Sequence, residues 1–340
     1  TFDDLGRAEK VQPISMRVRE ASITLLGFLF DDLDLKVGAQ RIAAFLLPAL
    51  VLLGCVADER LADAQALPTF NGELAMIALR RQVAIGPRVP GTDTHVETRD
   101  YLVEQLGVFA DDVQLQSFTI TDGGRDIPMH NVIATFGNAT ESPVLLCAHW
   151  DTRPFADRDP NPDNRDTPIP GANDGASGVA VLIELARVFD IVAPPVPVVI
   201  VLFDGEDWGK TTANMFHGSR YYARNLIPAR PRWAILLDMV GDADLSIPVE
   251  PTSLQAAPDI VRGVWATAQD MGVTQFSPRT GPAISDDHVL LIKAGIPAID
   301  IIDFSYPPWH TVEDTPDKCS SESLDAVGSV IARYIYTLGG

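Results

Sequence analysis

The run VVIVLF, Val198 to Phe203, followed at once by Asp204, Gly205, Glu206 and Asp207, limits the fold more than any other stretch of this chain. Apolar character without polar alternation marks a strand covered on both faces, as in a mostly parallel sheet held between helical layers. The acids that follow would leave such a strand at its carboxyl end, where open α/β sheets gather their ligands. The same pattern recurs, and strands are expected at Val113–Ile120, His130–Phe136, Val144–Ala148, Val196–Phe203, Trp233–Met239 and Ala298–Ile302. Helices should lie between them. In Ala176–Phe189, Val179, Leu182, Ile183 and Ala186 share one face, and in Ser323–Leu338, Leu324, Val327, Ile331 and Ile335 do the same. The expected architecture is therefore α/β, a single domain with a central mixed, mostly parallel twisted β-sheet flanked by helices on both faces. Arg153 to Pro170, RPFADRDPNPDNRDTPIP, is dense in proline and charge and is expected to be a long loop bordering the active site.

With 340 residues, 46% of them hydrophobic, the chain can bury a substantial core. Its net charge of -20 would repel a nucleic-acid backbone, which excludes nucleic-acid partners. Cys55, Cys147 and Cys319 are too few and too scattered for a disulfide framework or a thiolate metal site. Ile42 to Gly54 is an uncharged apolar run of 13 residues, short of the roughly 20 that span a membrane. Lys36 and Arg41 before it and Cys55 after it give the layout of a bacterial lipoprotein signal, with an ordinary buried helix as the competing reading. On this reading residues 1–35 are an upstream extension, 36–55 the signal segment, 56–70 a tether and 71–340 the catalytic domain. The protein would be an exported monomer, periplasmic or anchored to a membrane only through a lipid on Cys55.

Chemistry is expected just past the apolar runs. VLLCA leads into His149, Trp150 and Asp151, VVIVLF into the acids already named, and AILL into Asp238. GAND brings Asp174 before a helix, and PPWHT brings His310 after the last strand. One such Asp is more often a helix cap or a surface acid, and one such His a satisfied structural residue. Five of these sites at successive strand ends instead suit a divalent cation, with zinc favoured where imidazole and carboxylate are both offered. The adjacent acids should differ in role: a metal-bound Asp207 would stay ionised, while Glu206, among other acids, could take and return a proton. His95, His130 and His217 read as structural or exposed, and His288 as a hydrogen-bond partner beside Asp287.

From about Arg88 to Leu338 the chain resembles the zinc-dependent exopeptidases, and within them the glutaminyl-peptide cyclotransferases of animal and bacterial type. The matching stretches are RVPGT at 88–92, HWD at 149–151, GAND at 171–174, FDGED at 203–207, GSRYYA at 218–223, LLDMVG at 236–241, SDDH at 285–288 and WHT at 309–311. The resemblance implies a zinc exopeptidase-like fold and one zinc per chain on Asp174, Asp207 and His310, with Asp207 standing where the animal enzymes have glutamate. It implies Glu206 as the catalytic acid-base, Asp238 and Asp287 as supporting acids, and Trp309 and Trp208 in the substrate pocket. It also implies the activity, conversion of the N-terminal glutamine of peptides or proteins to pyroglutamate with release of ammonia. The animal enzymes' disulfide has no counterpart, since Val179 stands where a partner for Cys147 would be. A two-zinc aminopeptidase is the alternative, in which His149 and Asp238 would join Asp174 around a second metal.

Overall fold

A computed structural model describes residues 68–339; the extension, signal segment and most of the tether inferred from the sequence lie outside the described residues. The elements, in chain order, are α1 (Gly72–Ile85), α2 (Asp93–Gly107), β1 (Asp112–Asp122), β2 (Arg125–Phe136), β3 (Val144–His149), α3 (Ala176–Ile191), β4 (Val198–Phe203), α4 (His217–Arg224) and β5 (Ala234–Asp238). They continue with β6 (Ile247–Val249), α5 (Pro251–Ala256), α6 (Pro258–Met271), β7 (Phe276–Thr280), α7 (Asp287–Lys293), β8 (Ala298–Ile302) and α8 (Ser321–Thr337).

Six strands form the central sheet in the order β1-β2-β4-β3-β5-β8. β1, β2 and β4 pair antiparallel, whereas β4, β3, β5 and β8 run parallel, so the sheet is mixed and mostly parallel as expected. All six are the strands anticipated from apolar runs. Their side chains divide by the two-residue period of a strand. On β3, Val144, Leu146 and Ala148 enter the larger core, which also holds α1, α3 and α8, while Leu145 and Cys147 point into a smaller core on the other face. Helix α3 lies so close to β5 that a Cβ on Gly178 would come within 2.2 Å of the Leu237 carbonyl oxygen. Gly123 and Gly124, both at positive φ, make the two-residue turn that lets β1 and β2 extend beyond their apolar stretches. Cys147 and Cys319 are buried free thiols.

Two features differ from expectation. Phe70 is buried against Gly328 of α8, so the last residue assigned to the tether belongs to the core. The pair β6 and β7 carries no apolar run: FSPRT at 276–280 is mostly exposed, and its pairing follows from its place beside α6 rather than from its own pattern. No helix among the described residues is long and apolar enough to cross a membrane. The parallel strands deliver their carboxyl ends to one edge of the sheet, and the loop Arg153–Pro170, interrupted only by a short 3-10 turn at Pro162–Asn164, leaves β3 there.

Candidate functional site

The acids after β4 separate at once. Asp204 turns back, accepting from His95 Nε2 at 2.9–3.0 Å and from the His130 amide at 2.6 Å, and His95 in turn stacks on the buried Trp150. Gly205 follows at φ 68°, where any Cβ would meet Met129 Sδ at 2.5 Å, so only glycine makes this turn. The next two amides then point at β3's edge, where the Glu206 and Asp207 N–H groups donate to Asp151 Oδ1 and Oδ2 at 3.0 and 3.1 Å. One carboxylate thereby fixes the backbone of both following acids.

Asp207 meets Asp174 and His310. Asp174 is presented by the turn into α3, whose backbone is held by Asp314: its two oxygens accept from the Asn173 and Asp174 amides at 2.8 and 3.1 Å. His310 has φ 57°, a strained conformation for a residue with a Cβ and one that concentrates at functional sites. Its Nε2 lies 3.5 Å from Asp207 Oδ1 and 3.7 Å from Asp174 Oδ2, and all three residues are buried. Tetrahedral zinc with arms of about 2 Å sets its ligands roughly 3.3 Å apart, close to this spacing. Asp174 Oδ2 and Asp207 Oδ2 have no hydrogen-bond partner, which is costly for buried carboxylate atoms unless a cation takes them. The residues present therefore fit a divalent metal, and the two carboxylates with one imidazole suit zinc. Burial pushes Asp207 up to about 7, and a bound cation would draw it down again. Arg153 Nη1 donates to Asp207 Oδ1 at 2.5 Å, and Asp157 Oδ1 lies 3.4 Å from His310 Nδ1, so both ligands are oriented from the loop after β3.

A second group shares Asp174. His149 Nε2 lies 3.1 Å from Asp174 Oδ1 and 3.2 Å from Asp238 Oδ1, and its Nδ1 is 3.8 Å from Glu206. Burial alone would lower the His149 pKa, but the carboxylates of Asp151, Asp174 and Asp238 outweigh it and raise it well above the usual imidazole range.

Glu206 is buried beside these groups, and burial, then the Asp207 charge, raises its pKa well above the usual carboxylate range. Of the two aspartates in SDDH, Asp287 accepts from the buried Ser219 hydroxyl, whereas Asp286 also has its pKa raised, first by burial and then by Asp238, the strongest charge acting on it. The Asp287 pKa is likewise raised, to about 7, with Asp238 among the charges acting on it, so Asp286 joins Asp287, the residue the resemblance named, in the acid cluster. Trp309 stands at the site, its ring 3.9 Å from that of His310. It lines a cavity of about 540 Å³ with Phe216, Ile284, Ser285 and Phe304. Trp208 is not on that wall, because its indole donates to Asp122 at the end of β1. His288 makes no hydrogen bond to Asp287; its ring nitrogens lie 3.5 Å from Glu250 and 3.6 Å from Asp300. Arg153, Asp157 and Asp314 were also unforeseen, since an ion pair to a ligand has no local signature.

The model of peptidase family M28 matches residues 131–335. A solved glutaminyl cyclase from Porphyromonas gingivalis is 38% identical with a TM-score of 0.76, the match covering 79% of this chain and 99% of that one. A solved leucine aminopeptidase precursor from Bacteroides thetaiotaomicron is 37% identical with a TM-score of 0.77, over 79% of this chain and 98% of that one. The glutaminyl-peptide cyclotransferase of Drosophila melanogaster is 24% identical over 75% of this chain and 78% of its own length.

Proposed function

This chain belongs to peptidase family M28, and we propose that within that family it is a zinc-dependent glutaminyl cyclase, acting on peptides and proteins with an N-terminal glutamine. The observation that carries this reading is the buried Glu206 beside the ligand set, with Asp207, Asp286 and Asp287 among the charges that raise its pKa, and with Asp238 3.2 Å from His149. In the reaction the substrate's α-amine nitrogen bonds to its own γ-carbonyl carbon, the bond from that carbon to the amide nitrogen breaks, and ammonia leaves. Glu206, whose buried carboxyl holds a proton readily, takes one from the attacking amine and gives it to the departing nitrogen. Asp238 orients that nitrogen, and Asp286 and Asp287, both among the charges that raise the Glu206 pKa, share protons with Glu206. Trp309 packs the folded-back side chain, so that the entropy of reaching the attack geometry is lost on binding. Asp174, Asp207 and His310 would hold one zinc, which when bound supplies a Lewis-acid contact to an oxygen gaining negative charge.

His149, Asp174 and Asp238 also lie close enough to hold a metal, which supports a second reading as a two-zinc aminopeptidase. Mass spectrometry of a glutamine-initiated peptide incubated with the zinc-loaded protein separates the two. Loss of one ammonia is expected, and loss of the first residue would replace the cyclase reading with the aminopeptidase one. Metal analysis should find one zinc per chain. The proposal extends to an exported bacterial protein anchored through Cys55, supported by the sequence of residues 36–55 alone, and to a monomer, as expected from the resemblance.

A further inference from the structure

The cavity in front of Trp309 and His310 differs in charge from the rest of the protein. The chain has 46 acidic and 26 basic residues, yet this wall carries Arg153, Arg158 and Lys210 against the single carboxylate of Asp157. Arg153 and Asp157 neutralise each other, with Nε to Oδ1 at 2.8 Å and Nη2 to Oδ2 at 3.1 Å. Arg158 and Lys210 are exposed, and neither forms an ion pair among the described residues. Each is instead seated on an aromatic ring, Arg158 at 5.3 Å from the Trp309 centroid and Lys210 at 4.7 Å from that of Phe155. Such seats localise a cation without cancelling its charge. The two come from different loops, one after β3 and one after β4, and converge on the same opening.

We propose that Arg158 and Lys210 make this site select peptides with an acidic residue in the second or third position, after the N-terminal glutamine. This rests on the cyclase reading above. The first residue must reach inward to Glu206 and His310, so the following residues leave past the cavity mouth. A protein of net charge -20 would on its own draw in basic peptides and repel acidic ones. Two uncancelled cations at the mouth reverse that sign locally, and charge placed this way acts on encounter and discrimination more than on raw affinity. Exposed pairs are individually weak, so both cations together should yield about a 3- to 10-fold preference for an acidic over a neutral residue.

The test uses the zinc-loaded full chain and three peptides of equal length beginning Gln-Glu, Gln-Ala and Gln-Lys, with kcat/KM read from ammonia release. The expected order is acidic, neutral, basic, with a spread that shrinks in about 0.5 M salt. In a variant carrying Arg158→Gln and Lys210→Gln the acidic-to-neutral ratio should fall to within twofold of unity, while Arg158→Lys should keep it. Because the readout is a ratio within one preparation, a general loss of activity does not mimic the effect. Equal turnover of the three peptides by the unaltered protein, or a preference that persists in the double variant, would overturn this inference and leave the cyclase reading intact. No cyclisation of any peptide would remove the cyclase reading and this inference with it.

Discussion

Asp204 and Asp207 lie three residues apart on one loop, both buried, and they end in opposite surroundings. Around Asp204 each polar atom is taken: His95 donates to both carboxylate oxygens, and the His130 amide adds another bond. Around Asp207 one oxygen, Oδ1, is held by Arg153 and lies 3.5 Å from His310 Nε2, while the other has no partner, as does Oδ2 of Asp174 in the same group. The first region is finished by the protein alone. The second is finished only by something the chain does not encode, and this contrast, rather than acidity or burial, tells a structural carboxylate from a ligand. The second triad repeats the lesson. His149 already sits within hydrogen-bond reach of Asp174 and Asp238, so a proton on its ring can neutralise the acids that a second cation would otherwise hold.

Substitutions can break or sharpen this contrast. The largest effect is expected from Glu206→Gln, which should lower kcat by about 10²- to 10⁴-fold, the usual range for removing a general acid-base, with zinc content unchanged. Loss of zinc along with activity would instead place Glu206 among the ligands. Asp207→Asn should abolish zinc binding, measured by metal analysis, with a smaller loss of stability in the metal-free protein, since Arg153 loses one partner but keeps its two bonds to Asp157 and the other Asp207 oxygen had no partner to lose. Asp204→Asn should do the reverse, retaining metal per folded chain while costing about 1–3 kcal/mol in denaturant unfolding because His95 loses its charged acceptor. If both variants lost metal to the same degree, the division between the two regions would not hold.

A smaller contrast separates the neighbours in SDDH. Asp286→Asn should reduce kcat by roughly 10- to 100-fold, as expected for weakened proton handling, and alter its pH profile, whereas Asp287→Asn should act mainly on stability through Ser219. The opposite ranking would give the larger catalytic role to Asp287, as the sequence resemblance implies. The smallest effect belongs to His130. Burial, reinforced by Arg99, lowers its pKa to about 4, below the roughly 6.5 of an unfolded histidine. The unfolded chain therefore binds more protons between these values, and stability should fall as pH drops from about 6.5 towards 4. Thermal unfolding across that range, compared with His130→Gln, should show a steeper decline in the unaltered protein.

The sheet was legible because its strands are buried on both faces and so announce themselves as unbroken apolar runs: VVIVLF and VLLCA could hardly be anything else. The ligand candidates were legible for a related reason, since Asp174, Asp207, Asp238 and His149 stand at the ends of such runs or the start of the helix that follows. What stayed hidden depends on contacts distant in the chain. Asp314 reaches back about 140 residues to the turn at Asn173 and Asp174, and Arg153 reaches 54 residues to Asp207. Nor could the pattern show Asp286 joining Asp287 among the acids, or seat Trp208 against Asp122, because both depend on side-chain direction.

The clamp by Asp151 bears on how such a site can diversify. It grips the main chain at 206 and 207 and asks nothing of the side chains there. A lineage can therefore exchange aspartate for glutamate at 207, or trial another group at 206, without rebuilding the loop that carries them. The position is inherited from the neighbouring strand, and the chemistry is left free to vary.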